Sequence, residues 1–404
     1  MVGRATPVVL SVEQALSMSY ATLRFAHIGF RVIRVEATPA SGRHGGAGDP
    51  NRHIGRPVAD GGRASYFVAP NCGKEAIALN LKDARARDVL RRIVASLPVD
   101  VFCTNTMPSR HDELGLDANT LTAGKPDLIW ACISAMGLAH PNVPGYDPVL
   151  QALCGYMDLT GDPLGPPTQC GPPIIDLKAG DEVFAQVMLA LWERERLGRG
   201  KVIDISMAQL AVSWLLTSLP MLEMGSARDE IRRSGNQHRQ FIPTNSYPTA
   251  DGFVYVAVGS DAQWQRLVQE PMFASLGDPG FERNEGRRAR KDELHGAIAL
   301  LTSRHATGAV AEVLTRAQIP NAPITPIEQV MDLPFVASTA LHTHAPDGRA
   351  IRLPPPAVTT PFLADHRGEV KFAPAYGEHT DTVLREVGLR DDDIATLRAE
   401  GVVV

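Results

Sequence analysis

The chain has 404 residues, 44% of them hydrophobic, and a formal net charge of −5. The length predicts a large core and two domains, and the acidic balance argues against a protein that binds nucleic acid or a membrane surface. No apolar run is long enough to span a membrane and no secretory signal is predicted, so we expect a cytoplasmic protein. The five cysteines lack metal-ligand spacing, so we expect reduced thiols and no metal site.

Strands and helices alternate along the first third of the chain. The pattern predicts, in order, a helix over 13–27, strands over 32–36 and 77–81, a helix from Asp83 to about 96, and strands at 101–102 and 128–133. Such alternation is typical of an α/β fold with a mostly parallel sheet. No GxGxxG motif follows a strand and no P-loop motif is present, so the sheet shows no nucleotide fingerprint.

Residues 37–65 contain many Gly, Arg, His and Pro residues and predict a long mobile loop, since loops of this length are usually functional or disordered. Basic residues within 42–56 would suit an anionic ligand, although a solvated loop is the simpler interpretation. They are Arg43, His44, Arg52, His53 and Arg56.

The stretch from 171 to 207 contains a single carboxylate in a distinctive position. Asp176 precedes a helical pattern that starts at Gly180, and residues 202–206 predict a strand. Asp176 is therefore predicted in a turn just ahead of a helix N-terminus, where backbone N–H groups and the helix dipole stabilise a charged carboxylate. This position suits an ionised nucleophile, and it also suits an ordinary capping acid.

The second half of the chain changes in character beyond an apolar helix predicted over 207–222. A polar linker leads to a hairpin with its turn at 249–252 and its second strand over 253–258. Residues 340–372 are proline-rich and predicted to be extended, and two helices are predicted after 377.

Eight short segments, in this order, carry a resemblance that covers nearly the whole chain. They are VIRVE (32–36), NCGKEAIALNLK (71–82), GYDPVLQALCGYMDLTG (145–161), GPPIIDLKAG (171–180), RERLGRGKVIDISM (194–207), YPTADG (247–252), IPNAPI (319–324) and GEHTDTVLREVGL (377–389). Each is weak alone. Together they resemble the class III CoA-transferases, the group that includes formyl-CoA and carnitine CoA-transferases.

The resemblance implies an α/β fold with a Rossmann-like large domain built from both chain ends, a smaller α+β domain, and an interlocked, ring-like dimer. The corresponding domains are 1–224 for the first part of the large domain, 225–325 for the small domain, and 326–404 for the returning segment. It also implies coenzyme A or acyl-CoA as a substrate rather than a permanently bound cofactor, a carboxylic acid as co-substrate, and a homodimer or a heteromer with a related subunit.

By the same resemblance, Asp176 is the nucleophile that forms mixed anhydrides and an aspartyl-CoA thioester, with succinyl-CoA as a candidate donor. Oxyanion donors are needed at each attack, and Gly180 and the turn near Gly235 are candidates. Further implied site residues have ordinary structural alternatives as surface, capping or turn residues. Those implied at the CoA site are Ala15, Leu16, Glu36, Asn71, Lys74, Asn105 and Arg110, and those in the substrate pocket are Tyr146 and Gln151.

Three departures from the family pattern affect the expected CoA site. The QAGP-type segment is Leu16-Ser17-Met18-Ser19, and Ala37 and Glu113 stand where the family often has arginine. A subunit of a heteromeric enzyme, such as a benzylsuccinate CoA-transferase, would tolerate these changes, and a non-catalytic CoA-binding subunit is a further alternative.

An acyl-CoA racemase is the remaining alternative, because the same fold includes such enzymes. Racemases need an acid/base pair at the α-carbon, and their pattern has His directly before Asp147, where this chain has Tyr146. Tyrosine is a poor base near neutral pH, so this alternative is weaker.

Overall fold

The computed structural model describes residues 6–39 and 47–404. Arg43 and His44 of the predicted loop lie outside the described residues. Among the described helices, none combines the length and the apolarity that a membrane crossing requires.

The strands of the described chain are, in order, β1 (Val8–Val12), β2 (Arg31–Glu36), β3 (Pro57–Ala59), β4 (Arg63–Ala64), β5 (Glu75–Ala78), β6 (Val99–Thr104), β7 (Ile129–Ser134), β8 (Val202–Ser206), β9 (Thr244–Pro248), β10 (Phe253–Ala257), β11 (Asn321–Pro323), β12 (Leu341–His344) and β13 (Ala350–Leu353).

The α-helices of the same residues are α1 (Ser17–His27), α2 (Ser65–Asn71), α3 (Ala84–Ser96), α4 (His111–Leu114), α5 (Ala118–Ala123), α6 (Asp147–Leu153), α7 (Tyr156–Leu159), α8 (Ile174–Leu197), α9 (Met207–Ser213), α10 (Leu219–Glu223), α11 (Asp261–Gln269), α12 (Asn284–Ala289), α13 (Lys291–Thr302), α14 (Thr307–Arg316), α15 (Pro334–Ala337), α16 (Pro361–Asp365), α17 (Thr380–Glu386) and α18 (Asp391–Ala399).

The chain divides into two compact units that interleave along the sequence. Unit 1 combines the described residues of Met1–Cys154 with Gly171–Leu215 and Met331–Val404, and unit 2 combines Gly155–Cys170 with Leu216–Val330. Unit 2 therefore begins before the predicted boundary at 225, ends after 325, and includes a separate segment that the predicted domains assigned to the large domain.

A parallel six-stranded sheet organises unit 1, in the order β5-β2-β1-β6-β7-β8. Renumbered along the chain, this is 3-2-1-4-5-6, the strand order of the doubly wound Rossmann fold. β7 is buried at all of its positions, as expected for a parallel sheet that is covered on both faces. The strand order reverses between β1 and β6, and ligands of such folds bind outside the carboxyl ends of the strands at this point.

Both chain ends contribute to unit 1. The Asn80 N–H donates to the Val402 carbonyl at 2.8 Å, and Leu79 forms a bridge with Val403, so the last residues lie along the edge of the sheet. Val383 and Leu384 of α17 join the buried core with Leu90 of α3. The predicted C-terminal helices are confirmed as α17 and α18.

Unit 2 has an antiparallel sheet in the order β11-β10-β9 and its own apolar core around Tyr247 and Trp264. The predicted hairpin is confirmed, since the Thr249 N–H donates to the Gly252 carbonyl at 2.9 Å between β9 and β10.

Several predicted elements differ from the structure. β1 was not predicted, because a five-residue apolar run gives too short a pattern to assign. The helix predicted over 207–222 is interrupted between α9 and α10. The segment 340–372 contains the β12–β13 hairpin and α16 rather than only extended chain.

The predicted loop over 37–65 is partly regular where it is described. Residues 57–64 form the β3–β4 hairpin, and Pro50–His53 form a 3-10 turn. Arg52 is only 2% exposed, which is unlike a side chain of a solvated loop. His53 bonds the Ala47 carbonyl through Nε2 at 2.9 Å, and Arg56 is exposed.

Candidate active site

Asp176 lines a cleft at the carboxyl edge of the parallel sheet, where β1 and β6 end. This cleft, the Asp176 cleft, has a volume of about 210 Å³. Its walls come from the turn after β1, the turn after β6, the end of β7 and the first turn of α8. Four predicted site residues meet here, and they are Ala15, Asn105, Tyr146 and Asp176.

A second cleft, the Arg110 cleft, lies beside the first and has a volume of about 450 Å³. The two clefts share Gln14 and Met107 in their walls. The second has apolar walls from Leu79 and Leu81, and its described cationic residues are Lys82 and Arg110. Three acids also line it, but they are buried and ion-paired: Glu13, Glu36 and Asp49. Together the clefts form a groove with two unburied cations at one end and the Asp176 carboxylate at the other.

Asp147 holds the start of the helix that carries Asp176. One Asp147 oxygen accepts the backbone N–H groups of Ile175 at 2.7 Å and of Asp176 at 3.1 Å. Gln151 donates to the other oxygen through Nε2 at 2.5 Å. Asp147 is 2% exposed and Gln151 is fully buried. Gln151 therefore acts by orienting Asp147, and it does not line the Asp176 cleft.

The position of Asp176 differs from the predicted one. α8 begins at Ile174, so Asp176 lies within its first turn and not in a turn ahead of it. Asp147 accepts two of the N–H groups that would otherwise favour the Asp176 carboxylate. Burial and, as the smaller cause, the negative charge of Asp147 together raise the pKa of Asp176 to about 7. Its carboxylate has no hydrogen-bond partner within the described chain, so it is a strong acceptor poised between its two protonation states near neutral pH.

Asn105 fixes the turn between β1 and α1. Its Oδ1 accepts the Gln14 N–H at 3.1 Å, and its Nδ2 donates to the Gln14 carbonyl at 2.8 Å. Ala15 follows with φ of 56°, in the left-handed region that non-glycine residues rarely adopt. Leu16 then begins α1, and its side chain lines neither cleft.

The first turn of α1 is without a side-chain cap. The N–H groups of the first turn of any helix lack partners within the helix, and both Ala15 and Ser17 line the Asp176 cleft. The Asp176 cleft is thus lined both by the carboxylate on α8 and by residues at the amino end of α1.

Three predicted CoA-binding residues lie in a buried cluster of charges. Asn71 and Lys74 line neither cleft. Lys74 Nζ points into the protein, where it donates to Glu13 at 2.9 Å, to the Ser19 carbonyl at 2.8 Å and to Asn71 Oδ1 at 3.0 Å. Glu36 borders the Arg110 cleft but is 3% exposed and paired with Arg52 at 2.6 Å. The structure gives all three a partner inside the protein.

Neither glycine considered as an oxyanion donor is suited to that role. Gly180 lies in the middle of α8, where its N–H belongs to the helix, and it allows close packing on α1. A Cβ there would lie 2.8 Å from the Ser17 carbonyl oxygen. Gly235, in unit 2, donates its N–H to the Gly161 carbonyl at 2.9 Å.

Sequence reasoning missed two residues of this site. Lys82 is exposed at the Arg110 cleft, and its signal was its place directly after the predicted strand at 77–81. Asp147 was considered only within the racemase pattern, although an acid followed by proline is a common helix start. Arg110, which was predicted at the CoA site, lines the Arg110 cleft and pairs with Glu113 at 3.4 Å.

The remaining alternatives can be compared with the lining of the clefts. Among the described residues no histidine lines either cleft, so the His–Asp pair of a racemase has no counterpart here. No three His, Cys, Asp or Glu side chains of the described chain converge as a metal site requires.

Comparison with known proteins adds an independent finding. The profile of CoA-transferase family III matches residues 7–380. Succinate–glutarate CoA-transferase of Agrobacterium fabrum is 31% identical over 392 residues, which cover 94% of each chain. Succinyl-CoA:glutarate CoA-transferase of Mus musculus is 28% identical over 408 residues, or 98% of this chain and 89% of the mouse protein. The crystal structure of a CAIB/BAIF family protein from Brucella suis aligns with a TM-score of 0.81 and 26% identity, covering 94% of this chain and 98% of that one.

Proposed function

The chain belongs to CoA-transferase family III, and we propose that it transfers coenzyme A from an acyl-CoA to a second carboxylic acid through a covalent intermediate on Asp176. The observation that carries the proposal is a half-buried carboxylate without a hydrogen-bond partner among the described residues, placed at the end of a groove whose other end is cationic. Such a carboxylate can attack a thioester without a separate base.

The reaction has four steps, and in each of them one acyl group, that of the donor, of Asp176 or of the acceptor, stays activated as a thioester or an anhydride. An Asp176 oxygen attacks the thioester carbon of the donor and the C–S bond breaks. The CoA thiolate departs, and the donor acyl group and Asp176 are joined as a mixed anhydride. The thiolate attacks the Asp176 carbonyl carbon, which releases the donor acid and forms the aspartyl thioester. The acceptor carboxylate then attacks this thioester and releases the thiolate. The thiolate finally attacks the acceptor carbonyl of the second anhydride, which frees Asp176 and yields the new acyl-CoA.

Each attack creates an oxyanion, and the amino end of α1 is the proposed source of donors. Its first-turn N–H groups lack intrahelical partners, and Ser17 lines the same cleft as Asp176. Backbone N–H groups held in place stabilise such oxyanions by several kcal/mol in other enzymes, roughly 3 kcal/mol for one donor.

The Arg110 cleft is the proposed binding region for the body of coenzyme A. Arg110 and Lys82 would bind phosphate groups through charge-assisted hydrogen bonds, while Leu79 and Leu81 offer apolar walls. The shared residues Gln14 and Met107 lie where the pantetheine arm would pass toward Asp176. Glu36, which borders this cleft, would then shape it rather than contact a phosphate, because its oxygens already bind Arg52 and the Asp49 N–H.

The two relatives described above are named for succinyl or succinate and for glutarate. Succinyl-CoA is therefore the proposed donor to test first, with glutarate as the first acceptor. The proposed assembly is the interlocked dimer of two copies, or one copy with a related subunit.

The test is covalent trapping. The purified chain is incubated with succinyl-CoA and then with hydroxylamine or borohydride, and Asp176 is examined by mass spectrometry of peptides. A hydroxamate or a reduced alcohol at Asp176 that is absent in Asp176→Asn supports the proposal. Asp181→Asn, a change on the same helix outside the cleft, serves as the control and should keep the adduct.

An unmodified Asp176 with several acyl-CoAs, in a chain that still binds CoA, would contradict the covalent route. In that case the non-catalytic subunit of a heteromer is the second candidate, and pull-down with a related subunit followed by the same trapping would identify the catalytic partner. Exchange of the α-hydrogen of a branched acyl-CoA with solvent, without acid exchange, would favour the racemase instead.

A further inference from the structure

Asp49 links the Asp176 cleft to the buried charges of unit 1. Its Oδ1 accepts the Ala15 N–H at 3.1 Å and the Asn51 N–H at 3.0 Å. Its Oδ2 accepts from Arg34 Nη2 at 2.7 Å. Asp49 is 1% exposed, so these contacts are shielded from water and are stronger than the same contacts at a surface.

Asp49 belongs to a cluster of six charged side chains, none of which is exposed to solvent. The cluster contains three cations and three anions, so its formal charge is zero. Its members are Glu13, Arg34, Glu36, Asp49, Arg52 and Lys74.

The contacts within this cluster fix Asp49 from several sides. Its own N–H donates to Glu36 Oε2 at 2.9 Å, and Arg52 stacks on the Phe67 ring at 3.7 Å while pairing with Glu36. Several groups therefore fix the position of the Asp49 carboxylate together. Loss of any one partner would leave a buried charge unpaired, which strongly destabilises a folded protein.

The Ala15 backbone is the feature that this carboxylate holds. A non-glycine residue at a φ of 56° is strained relative to the right-handed or extended regions, and such strain persists only where the surroundings impose it. The N–H that Asp49 accepts belongs to this residue. The next residues are the start of α1, which faces Asp176 across the cleft.

We propose that Asp49 is a positioning residue of this enzyme, which holds Ala15 in the left-handed conformation and thereby aims the first turn of α1 at the reacting groups on Asp176. The inference rests on the proposed function. Without the Asp49 carboxylate, Ala15 relaxes toward a negative φ and the N–H groups of α1 turn away from the oxyanion position.

A second aspartate of unit 1 has the same pair of contacts at the opposite end of β1. Asp100 accepts the Val8 N–H through Oδ2 at 2.9 Å and Arg194 Nη2 through Oδ1 at 2.6 Å. Like Asp49, it accepts from a backbone N–H and from a guanidinium, although it has one backbone N–H partner where Asp49 has two and its side chain is 23% exposed; it lines neither cleft. Asp100→Asn is therefore a matched control for Asp49→Asn.

The experiment measures kcat and KM for CoA transfer in both variants at a temperature where circular dichroism shows each to be folded. Asp49→Asn is expected to lower kcat about ten- to a hundredfold with a much smaller change in KM, since small displacements of reacting groups cost this much. Asp100→Asn is expected to keep kcat within about twofold of the wild type. Equal kcat values in the two variants would overturn the proposal.

A rescue experiment separates positioning from general loss of structure. Glycine adopts the left-handed region freely, so Ala15→Gly should restore part of the kcat lost in Asp49→Asn. The same change should give no gain in the Asp100→Asn background. Absence of any gain in the Asp49→Asn background, with the double variant folded, counts against the proposal.

If Asp49→Asn does not fold, Ala15 can be tested directly with two side chains of similar size. Asn tolerates the left-handed region and Val strongly disfavours it, so Ala15→Val should lose about tenfold or more in kcat relative to Ala15→Asn. Similar kcat values for the two would overturn the proposal.

Failure of the proposed function itself is distinguishable. If the wild type forms no Asp176 adduct and transfers no CoA, the positioning claim is tested by amide hydrogen exchange in a peptide covering 13–20. Exchange there should be faster in Asp49→Asn than in the wild type and unchanged in Asp100→Asn. Unchanged exchange in Asp49→Asn would refute the positioning role whatever the activity.

Discussion

The two adjoining clefts of unit 1 differ in charge although they share Gln14 and Met107. The Arg110 cleft contains Lys82 and Arg110, whereas the described residues that line the Asp176 cleft include no Arg, Lys or His. A cation beside Asp176 would lower its pKa and stabilise the carboxylate before attack. Under the proposed function, the binding of CoA phosphates and the attack by Asp176 would take place in separate parts of one groove.

A second carboxylate, that of Asp147, holds the helix turn that carries Asp176, the proposed nucleophile. Asp147 positions the first turn of α8 through backbone N–H groups, and its charge adds to the burial that raises the pKa of Asp176. A carboxylate with a raised pKa is more basic and, once ionised, a better nucleophile than an ordinary one. At the other end of the groove, the proposed binding of phosphates requires no shifted pKa, because Lys82 and Arg110 are cations at neutral pH.

The largest effect is expected from removing the charge at the Asp176 end. Asp176→Asn should lower kcat by at least about a thousandfold, because the amide cannot form the anhydride. CoA binding at the other end of the groove should persist, with Kd by calorimetry within about threefold of the wild type. Loss of binding together with activity would break the separation between the two clefts.

Removing cations at the Arg110 end should weaken acyl-CoA binding and leave the rate of the chemical steps nearly unchanged. Arg110→Gln and Lys82→Gln are each expected to raise KM for acyl-CoA about tenfold, with kcat little changed and the effect smaller at high salt. Arg91→Gln provides the control, since Arg91 is an exposed cation paired with Asp88 and lines neither cleft. A fall in kcat without a change in KM would contradict the assignment of this cleft.

The pH dependence should report the Asp176 end. Since the pKa of Asp176 is about 7, kcat/KM should fall as the pH drops below that value, because the protonated acid does not attack. Asp147→Asn keeps an oxygen for the backbone N–H groups but removes the charge, so the acid limb should move down by up to about one pH unit. Asp181→Asn should leave the limb in place, and an unmoved limb in Asp147→Asn would exclude Asp147 as a cause of the raised pKa.

The smallest effect concerns stability and follows from the same pKa. The pKa of Asp176 in the folded chain, about 7, lies above its ordinary value of 3.8, so this group lowers the free energy of unfolding as the pH rises from about 4 to about 7, and the loss is complete above that. Asp176→Asn should therefore raise the free energy of unfolding at pH 8 by roughly 2 to 4 kcal/mol. The gain should shrink toward zero as the pH falls toward 4. Urea unfolding at several pH values measures it, and a constant difference would exclude titration of Asp176 as its source.

The sequence was sufficient for features that depend on local pattern. The strand over 32–36, the helix after Asp83 and the hairpin at 249–252 were correctly predicted, since each has its own periodicity or turn residues. The resemblance named Asp176 as catalytic, Asn105 and Ala15 as CoA-binding and Tyr146 as a substrate-pocket residue, and the fold brings all four to one cleft.

Features that depend on distant segments could not be predicted in this way. Lys74 has the sequence context of a surface lysine, and only the fold brings it to Glu13 at 2.9 Å. Arg52 and Asp49 appeared to belong to a solvated loop, although burial of both is possible because each meets an opposite charge from another strand or turn. The start of α8 was misplaced because its cap, Asp147, comes from a separate segment of the chain.

The close contact at Gly180 has a consequence for how the nucleophile is carried. A methyl group there would lie 2.8 Å from the Ser17 carbonyl oxygen and 3.0 Å from the Ala21 nitrogen, both in the backbone of α1. The distance between α8, which carries Asp176, and α1, whose amino end lines the same cleft, therefore depends on the absence of a side chain at Gly180. One added carbon there would push the two helices apart and so widen the Asp176 cleft.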